Sequence, residues 1–372
     1  MLSRAFGSPT TQRVMDLRAV DASCRMGLAE RIWSRTPAET LSLELGAAAQ
    51  ALAHAHLAAL AAHRQAFGAL EKVVQVAERR GIPVVLLKFG ALVAAGHTAR
   101  GSRDARDLDV LVPAPMAQGL QDGLLARGMR PLTKRAPPHH LPGLRNELGE
   151  AVEVHRYIPG LYVDEREVEA PDLLHGGWTE VLAAGGGNIH VPVPEVLAAH
   201  AIVHGLIQHR DTPLDYSLAR MLSDLSDLGL SGGALDSENL ANWFGSSISE
   251  NDIAAIVGLI RTLTRGGLPE PGSAELTLLR HVVASSCDPE YQDRLRIRRI
   301  MTVVRSGQFA RVVRDLRLDG NAALGRPARA GHTPGSALSR FARLARALFT
   351  EARVALQPAA RRAPARKIPA EE

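Results

Sequence analysis

Two short apolar runs, residues 82–88 (IPVVLLK) and 107–113 (DLDVLVP), stand in a chain that otherwise reads mainly as helix. The first is nearly continuous and rich in β-branched residues, which suits a buried strand. The second alternates and reads as another strand. Before them, residues 45–80 form an alanine-rich segment. Its Leu60, Phe67, Leu70, Val74 and Ala77 step by seven, three, four and three, giving one apolar helical face. Gly81 and Pro83 end that helix. After the first strand Gly90 opens a brief helix, GALVAAG, and after the second Pro113 and Pro115 lead into a helix over 116–127. Two more strands are expected at MRPL (129–132) and EAVEVHRYI (150–158). Helices alternating with a few short strands predict an α+β fold, a small mixed sheet with helices packed on it.

Past residue 160 the pattern changes. Gly185-Gly186-Gly187 reads as a hairpin turn, and NIHVPVP is a short extended piece. Helices then follow over about 194–209, 215–229, 237–245, 250–265, 273–286 and 289–317. The expected division is a helical lead-in (1–44), a mixed α/β domain (45–160), an all-helical domain (161–318) and a basic tail (319–372). With aromatics at 4% against 46% hydrophobic residues, the core must be built from Leu, Val, Ile and Ala.

The net charge of +5 is concentrated late: from Gly320 onward ten basic residues face three acidic ones. Residues 336–356 form a basic amphipathic segment in which Phe341, Leu344, Leu348 and Ala352 step by three, four and four. Such a helix can lie on an anionic surface, dock on a partner protein or pack on its own domain. Basic residues interleaved with aromatics are nearly absent, so nucleic-acid binding is not supported. Cys24 and Cys287 lie far apart without metal-ligand spacing, which fits a reducing compartment. No apolar leader or stretch of membrane-spanning length is visible. A cytoplasmic location is expected.

The stretch R-D-A-R-D-L-D-V-L-V, residues 103–112, carries the chemistry. Strand side chains alternate, so Asp107 and Asp109 face one side at a strand end while Leu108 and Val110 enter the core. Two close carboxylates repel unless a cation sits between them, and Mg²⁺ takes such oxygen ligands. Glu153, on the later strand V-E-V-H, adds a third carboxylate if the two strands are neighbours. Lys88, then Phe89-Gly90 and a helix start, supply a positive side chain and backbone N–H groups suited to phosphate. Lys88 is one of only four lysines among 44 basic residues. Arg103 can offer a fork of donors to the same phosphates. Taken singly, each feature has a plainer reading: solvated strand-edge acids for the aspartates, surface residues for Glu153 and Arg103.

Other polar residues are assigned structural roles. His155 is read as pointing to the opposite strand face from Glu153 and is left outside the site. His139 and His140 read as polar loop residues. His200 and His204, spaced i, i+4 without an intervening H-E-x-x-H glutamate, read as partly buried structural histidines. Arg220 and Asp224 read as an i, i+4 ion pair.

Together GIPVVLLKFGAL, R-x-x-x-D-L-D-V-L-V and V-E-V-H-R resemble the uncharacterised nucleotidyltransferase family of the DNA polymerase β-like superfamily. LAAHAIVHGLIQH and RMLSDLSDL extend the resemblance, which spans about 45–230. It implies a polymerase β-like domain followed by helices, with Asp107, Asp109 and Glu153 as catalytic and Mg²⁺-binding acids, two ions being expected. It implies a phosphate-binding turn at Lys88–Gly90 and an NTP such as ATP as donor. The implied reaction moves a nucleoside monophosphate to an acceptor hydroxyl or phosphate and releases pyrophosphate. The family pattern has Lys-Gly directly, and its third acid is more often aspartate; here Phe89 intervenes and the acid is Glu153. The alternative is a catalytically silent nucleotide-binding or regulatory module of the same fold.

Overall fold

The structure, a computed structural model, describes residues 17–287 apart from 106, 134–135, 209–217, 230–236 and 246. The expected helix at 289–317 and the tail at 319–372 lie outside the described residues. What is described belongs to one compact unit.

Three short helices, α1 (Leu17–Met26), α2 (Ala29–Arg35) and α3 (Ala38–Leu45), precede the long α4 (Ala49–Arg80). Gly81 ends α4 in the left-handed region at φ 61°, the conformation in which a missing Cβ costs nothing. The buried face of α4 runs through Leu52, Ala59, His63, Ala66, Leu70, Val73, Val74 and Ala77. The sequence stripe holds at its C-terminal end, but Leu60 is exposed and His63 takes the inward place.

The chain then lays down β1 (Val85–Leu86), α5 (Lys88–Ala94), β2 (Leu108–Leu111), α6 (Ala117–Leu125), β3 (Arg130–Pro131), β4 (Leu144–Arg145) and β5 (Ala151–His155). A hairpin of β6 (Tyr157–Val163) and β7 (Arg166–Glu169) and the short α7 (Ala170–His175) follow. Next come β8 (Thr179–Ala184) and β9 (Gly187–Pro192), joined by the Gly185–Gly186 turn. The main sheet has seven strands in the order β3-β4-β5-β2-β1-β9-β8. It is mixed: β2 runs parallel to β5 and β1 parallel to β9, while β1 and β2 are antiparallel. The fold is α+β. Strands thus continue to Pro192, and the purely helical part starts with α8 (Pro194–Val203). It continues with a π-helical turn (His204–Gln208), α9 (Leu218–Asp227), α10 (Ser237–Ala241), α11 (Glu250–Thr264) and α12 (Ala274–Cys287). Among the described residues no helix is long and apolar enough to cross a membrane.

The core is aliphatic, as the composition requires. Val84, Val85, Leu86 and Leu87 of the first strand segment are all buried, as are Leu108, Val110, Leu111 and Val112 of the second. Fully burying such a side chain stabilises by roughly 1.5–3 kcal/mol relative to exposure. These central strands are therefore rigid supports for whatever projects from their ends.

Candidate active site

The parallel pairing of β2 with β5 sets Asp109 directly beside Glu153, with Leu111 beside His155. Neighbouring residues in register share a face, so both acids project from the same side of the sheet. His155 lies two residues beyond Glu153, and i and i+2 also share a face. The expectation that His155 points away is therefore corrected. Its Nε2 lies 2.9 Å from Asp109 Oδ1 and 3.8 Å from Glu153 Oε2.

Strand β1 completes the arrangement from the other flank. Leu87 N–H donates to the Asp109 carbonyl at 3.0 Å, which brings the next residue, Lys88, over the acids. Lys88 Nζ donates to Asp109 Oδ1 at 2.6 Å. The lysine adopts φ 50°, a left-handed conformation that costs a non-glycine residue on the order of 1 kcal/mol or more. Such strain persists where surrounding structure fixes it, and here it coincides with the turn from β1 into α5. Gly90 lies inside α5, where a Cβ would sit 3.3 Å from Leu108 Cδ1 and 3.4 Å from Leu86 Cδ1. Its direct role is thus close packing of α5 on β1 and β2.

Asp107 precedes β2 at the mouth of the site and is exposed, whereas Asp109 is buried. Among the described residues the ligand atoms that lie mutually within 4.8 Å belong to Asp109, Glu153 and His155. The cluster sequence reasoning assembled from Asp107, Asp109 and Glu153 therefore gains His155, with Asp107 outside that innermost set. Two carboxylates and an imidazole suit a divalent cation.

The charges interact strongly. Burial alone would raise the Asp109 carboxyl, but the Lys88 ammonium and the His155 hydrogen bond outweigh it and hold it well below the usual carboxylate range. Burial works against the Lys88 ammonium too; Asp109, Asp107 and Glu153 overcome this and raise its pKa. Burial and the Asp109 charge push Glu153 up to about 7. Burial of its carboxyl among these groups, despite the residue's overall exposure, and the Asp109 charge likewise raise Asp107. His155 is driven down to about 4 by burial and is neutral near pH 7. Lys88 is the cation nearest these acids, and Glu153 shares a proton with solvent near neutrality. This is a site with room for more positive charge.

Around it stand groups the sequence reading set aside. The rings of His139 and His140 lie 5.7 and 5.3 Å from that of His155. His140 forms an isolated bridge to His155. A small cavity of about 20 Å³ beside Lys88 is lined by Phe89, Arg103, His200, His204 and Asp224. His200 is buried, and its Nδ1 has no hydrogen-bond partner among the described residues. Arg103 lies over the Phe89 ring, its guanidinium 4.4 Å from the ring centroid, and Arg103 Nη1 donates to Asp224 Oδ2. The acid that sequence spacing assigned to Arg220 thus also serves Arg103 and, at 3.4 Å, Arg31.

Residues 17–243, more than half of the chain, match the profile of a family described as uncharacterised nucleotidyltransferase. None of the curated proteins matches the sequence. Two solved structures do, both of the antibiotic-resistance factor ANT(2″)-Ia. The first is a solution structure, 15% identical, covering 58% of this chain and 95% of its own, with a TM-score of 0.33. The second is a crystal structure in complex with adenylyl-2″-tobramycin, also 15% identical, covering 52% of this chain and 94% of its own, with a TM-score of 0.32.

Proposed function

Because the chain belongs to the uncharacterised nucleotidyltransferase family, we propose that it transfers a nucleoside monophosphate from an NTP to an acceptor hydroxyl or phosphate, releasing pyrophosphate. The observation that carries this reading is the in-register pairing of Asp109 with Glu153 under the Lys88 ammonium.

The residues divide the work. Asp109 and Glu153, with Asp107 at the mouth, would form the donor set for divalent metal; the expected ion is Mg²⁺. A cation bound there supplies charge neutralisation for the triphosphate and the attacking oxygen. Lys88 supplies positive charge at the foot of the phosphate site, with Arg103 above it. Glu153 would complete the site and help take the acceptor's proton. The neutral His155 holds Asp109 by a hydrogen bond and fixes where its charge lies. Catalysis then rests on positioning and electrostatics, as phosphoryl chemistry generally does.

Phe89, the residue that interrupts the Lys-Gly pattern, is buried, 3% exposed. Its ring underlies Arg103. That favours an intact phosphate site over the silent-module reading.

The test is incubation of purified protein with Mg²⁺ and each α-labelled NTP, with and without cell extract, beside an Asp107→Ala/Asp109→Ala control. Label transferred by wild type alone supports the proposal, and the labelled species names the acceptor class. Mg²⁺-dependent nucleotide binding without transfer supports the silent module instead.

A further inference from the structure

Arg103 is held on three sides by residues distant in sequence. Its backbone carbonyl accepts from His63 Nε2 at 2.9 Å, and the Gly101 N–H donates to His63 Nδ1 at 2.9 Å. Both nitrogens of one buried imidazole on α4 thus pin the 101–103 turn. This pattern defines the neutral tautomer protonated on Nε2, and burial lowers the His63 pKa accordingly. The His63 ring also contacts Phe89, with centroids 4.8 Å apart. The Arg103 guanidinium then lies over the Phe89 ring, 4.4 Å from its centroid, and pairs with Asp224, whose side chain is 3% exposed. Asp224 is itself anchored by Arg31, a buried residue of α2 that also meets Asp227 at 2.5 Å.

An arginine needed only for stability could be satisfied by Asp224 alone. Here an aromatic plate, an acid and a pinned turn together hold the guanidinium in the wall of the cavity that Lys88 also lines. A planar, pre-oriented fork is what bidentate phosphate recognition requires, and a lysine cannot reproduce it. We propose that Phe89 and Asp224 are positioning residues that hold Arg103 as the second phosphate-binding cation of the site. On this view Phe89 replaces the bare Lys-Gly turn with a platform. The inference rests on the nucleotidyl-transfer reading above.

Isothermal titration of the four NTPs and the matching NMPs, with Mg²⁺, onto wild type and variants tests it. Phe89→Leu and Asp224→Asn should each weaken binding of the preferred NTP about tenfold, the scale of one charge-assisted contact. NMP affinity should change less than about twofold. Phe89→Tyr should bind as wild type, and Arg103→Lys should lose as much as Arg103→Gln. Phe89→Leu/Arg103→Gln should be no weaker than Arg103→Gln, because both act through one contact. Far-UV circular dichroism confirms that each variant is folded, and Arg103→Lys with Phe89→Tyr still decides the matter if Phe89→Leu is not. Unchanged NTP affinity in Asp224→Asn and Arg103→Lys overturns the inference. So do equal losses for NTP and NMP, or additive losses in the double variant. Tighter NTP binding by Asp224→Asn would mean that Asp224 competes with phosphate, and would also overturn it. If wild type binds nucleotide in any of these cases, only the inference about Arg103 falls and the labelling assay decides transfer; if wild type binds none, both fall.

Discussion

Replacing Lys88 by methionine removes the ammonium that faces Asp109 at 2.6 Å, leaving Asp107, Asp109 and Glu153 without it. Lys88 and Asp109 are 18% and 6% exposed, so the pair is largely desolvated. Breaking one side of such a pair typically costs about 3–5 kcal/mol, because the surviving charge stays buried. For a protein of this size the loss corresponds to a melting point lower by on the order of 10 °C. The sign with pH follows from Asp109. Its folded pKa lies below its unfolded one, so its contribution is present above the unfolded value and is lost as pH falls through the folded value. Lys88→Met removes that contribution, so the deficit should stay full between pH 7 and pH 5 and narrow only below the ordinary aspartate pKa of about 3.9. Divalent cation should narrow the deficit, since a ligand at 100 times its Kd stabilises by about 2.7 kcal/mol and Lys88 no longer competes for Asp109. The assay is urea unfolding of wild type and Lys88→Met in EDTA and in excess Mg²⁺, at pH 7 and pH 5. Equal stability of the two proteins in EDTA at pH 7 would refute the reasoning, as would a deficit that Mg²⁺ leaves unchanged.

Three further outcomes follow from the same charges. Cation binding at pH 7 should release about half a proton, because Glu153 with a pKa of about 7 is half protonated there and must ionise to act as a ligand. Calorimetry in two buffers of different ionisation enthalpy measures this, and Glu153→Gln should abolish the release. His200, buried and lowered to about 3, must be neutral in the folded chain, so the unfolded state binds the extra proton below about pH 6.5. Stability should drop by about 2 kcal/mol between pH 6.5 and 5 on its account, and His200→Asn should flatten the urea-midpoint profile over that range. Arg31→Met should cost about 3–5 kcal/mol in chemical denaturation by removing the buried cation that Asp224 and Asp227 share, and Arg31→Lys should recover little of it.

How far the site was legible depends on the distance over which each piece is specified. The D-x-D at 107–109 and the apolar runs that carry it are local patterns, and strand alternation alone sets Asp109 on the face opposite Leu108 and Val110. The same rule, carried two residues past Glu153, places His155 beside Asp109; its exclusion was an error of parity, and the signal was in the sequence. What the sequence did not specify is register. Nothing in the 39 residues between β2 and β5 announces that Asp109 lies beside Glu153, since parallel pairing depends on the packed sheet. The hairpin β6–β7 was hidden for a different reason: Pro159 and Gly160 interrupt its first strand, and both residues weaken any strand reading.

A still longer reach joins Arg103 to Asp224, 121 residues apart, and Arg31 to Asp224, 193 residues apart. Local spacing paired Asp224 with Arg220 because i, i+4 contact is the one a helix guarantees. The fold supplies partners that spacing does not announce: a carboxylate 3% exposed gains from every cation it can contact, and Arg31 and Arg103 are brought to it. The acids that would meet the cation thus sit on strands whose local sequence orients them. The side chains that hold Arg103 come from three helices, and only the tertiary fold collects them. Substitution of a strand acid should therefore strike the reacting atoms directly, whereas substitution at His63, Phe89 or Asp224 should act through the placement of one guanidinium. The two kinds of residue are separable by experiment because the first changes turnover and the second changes which phosphates are held.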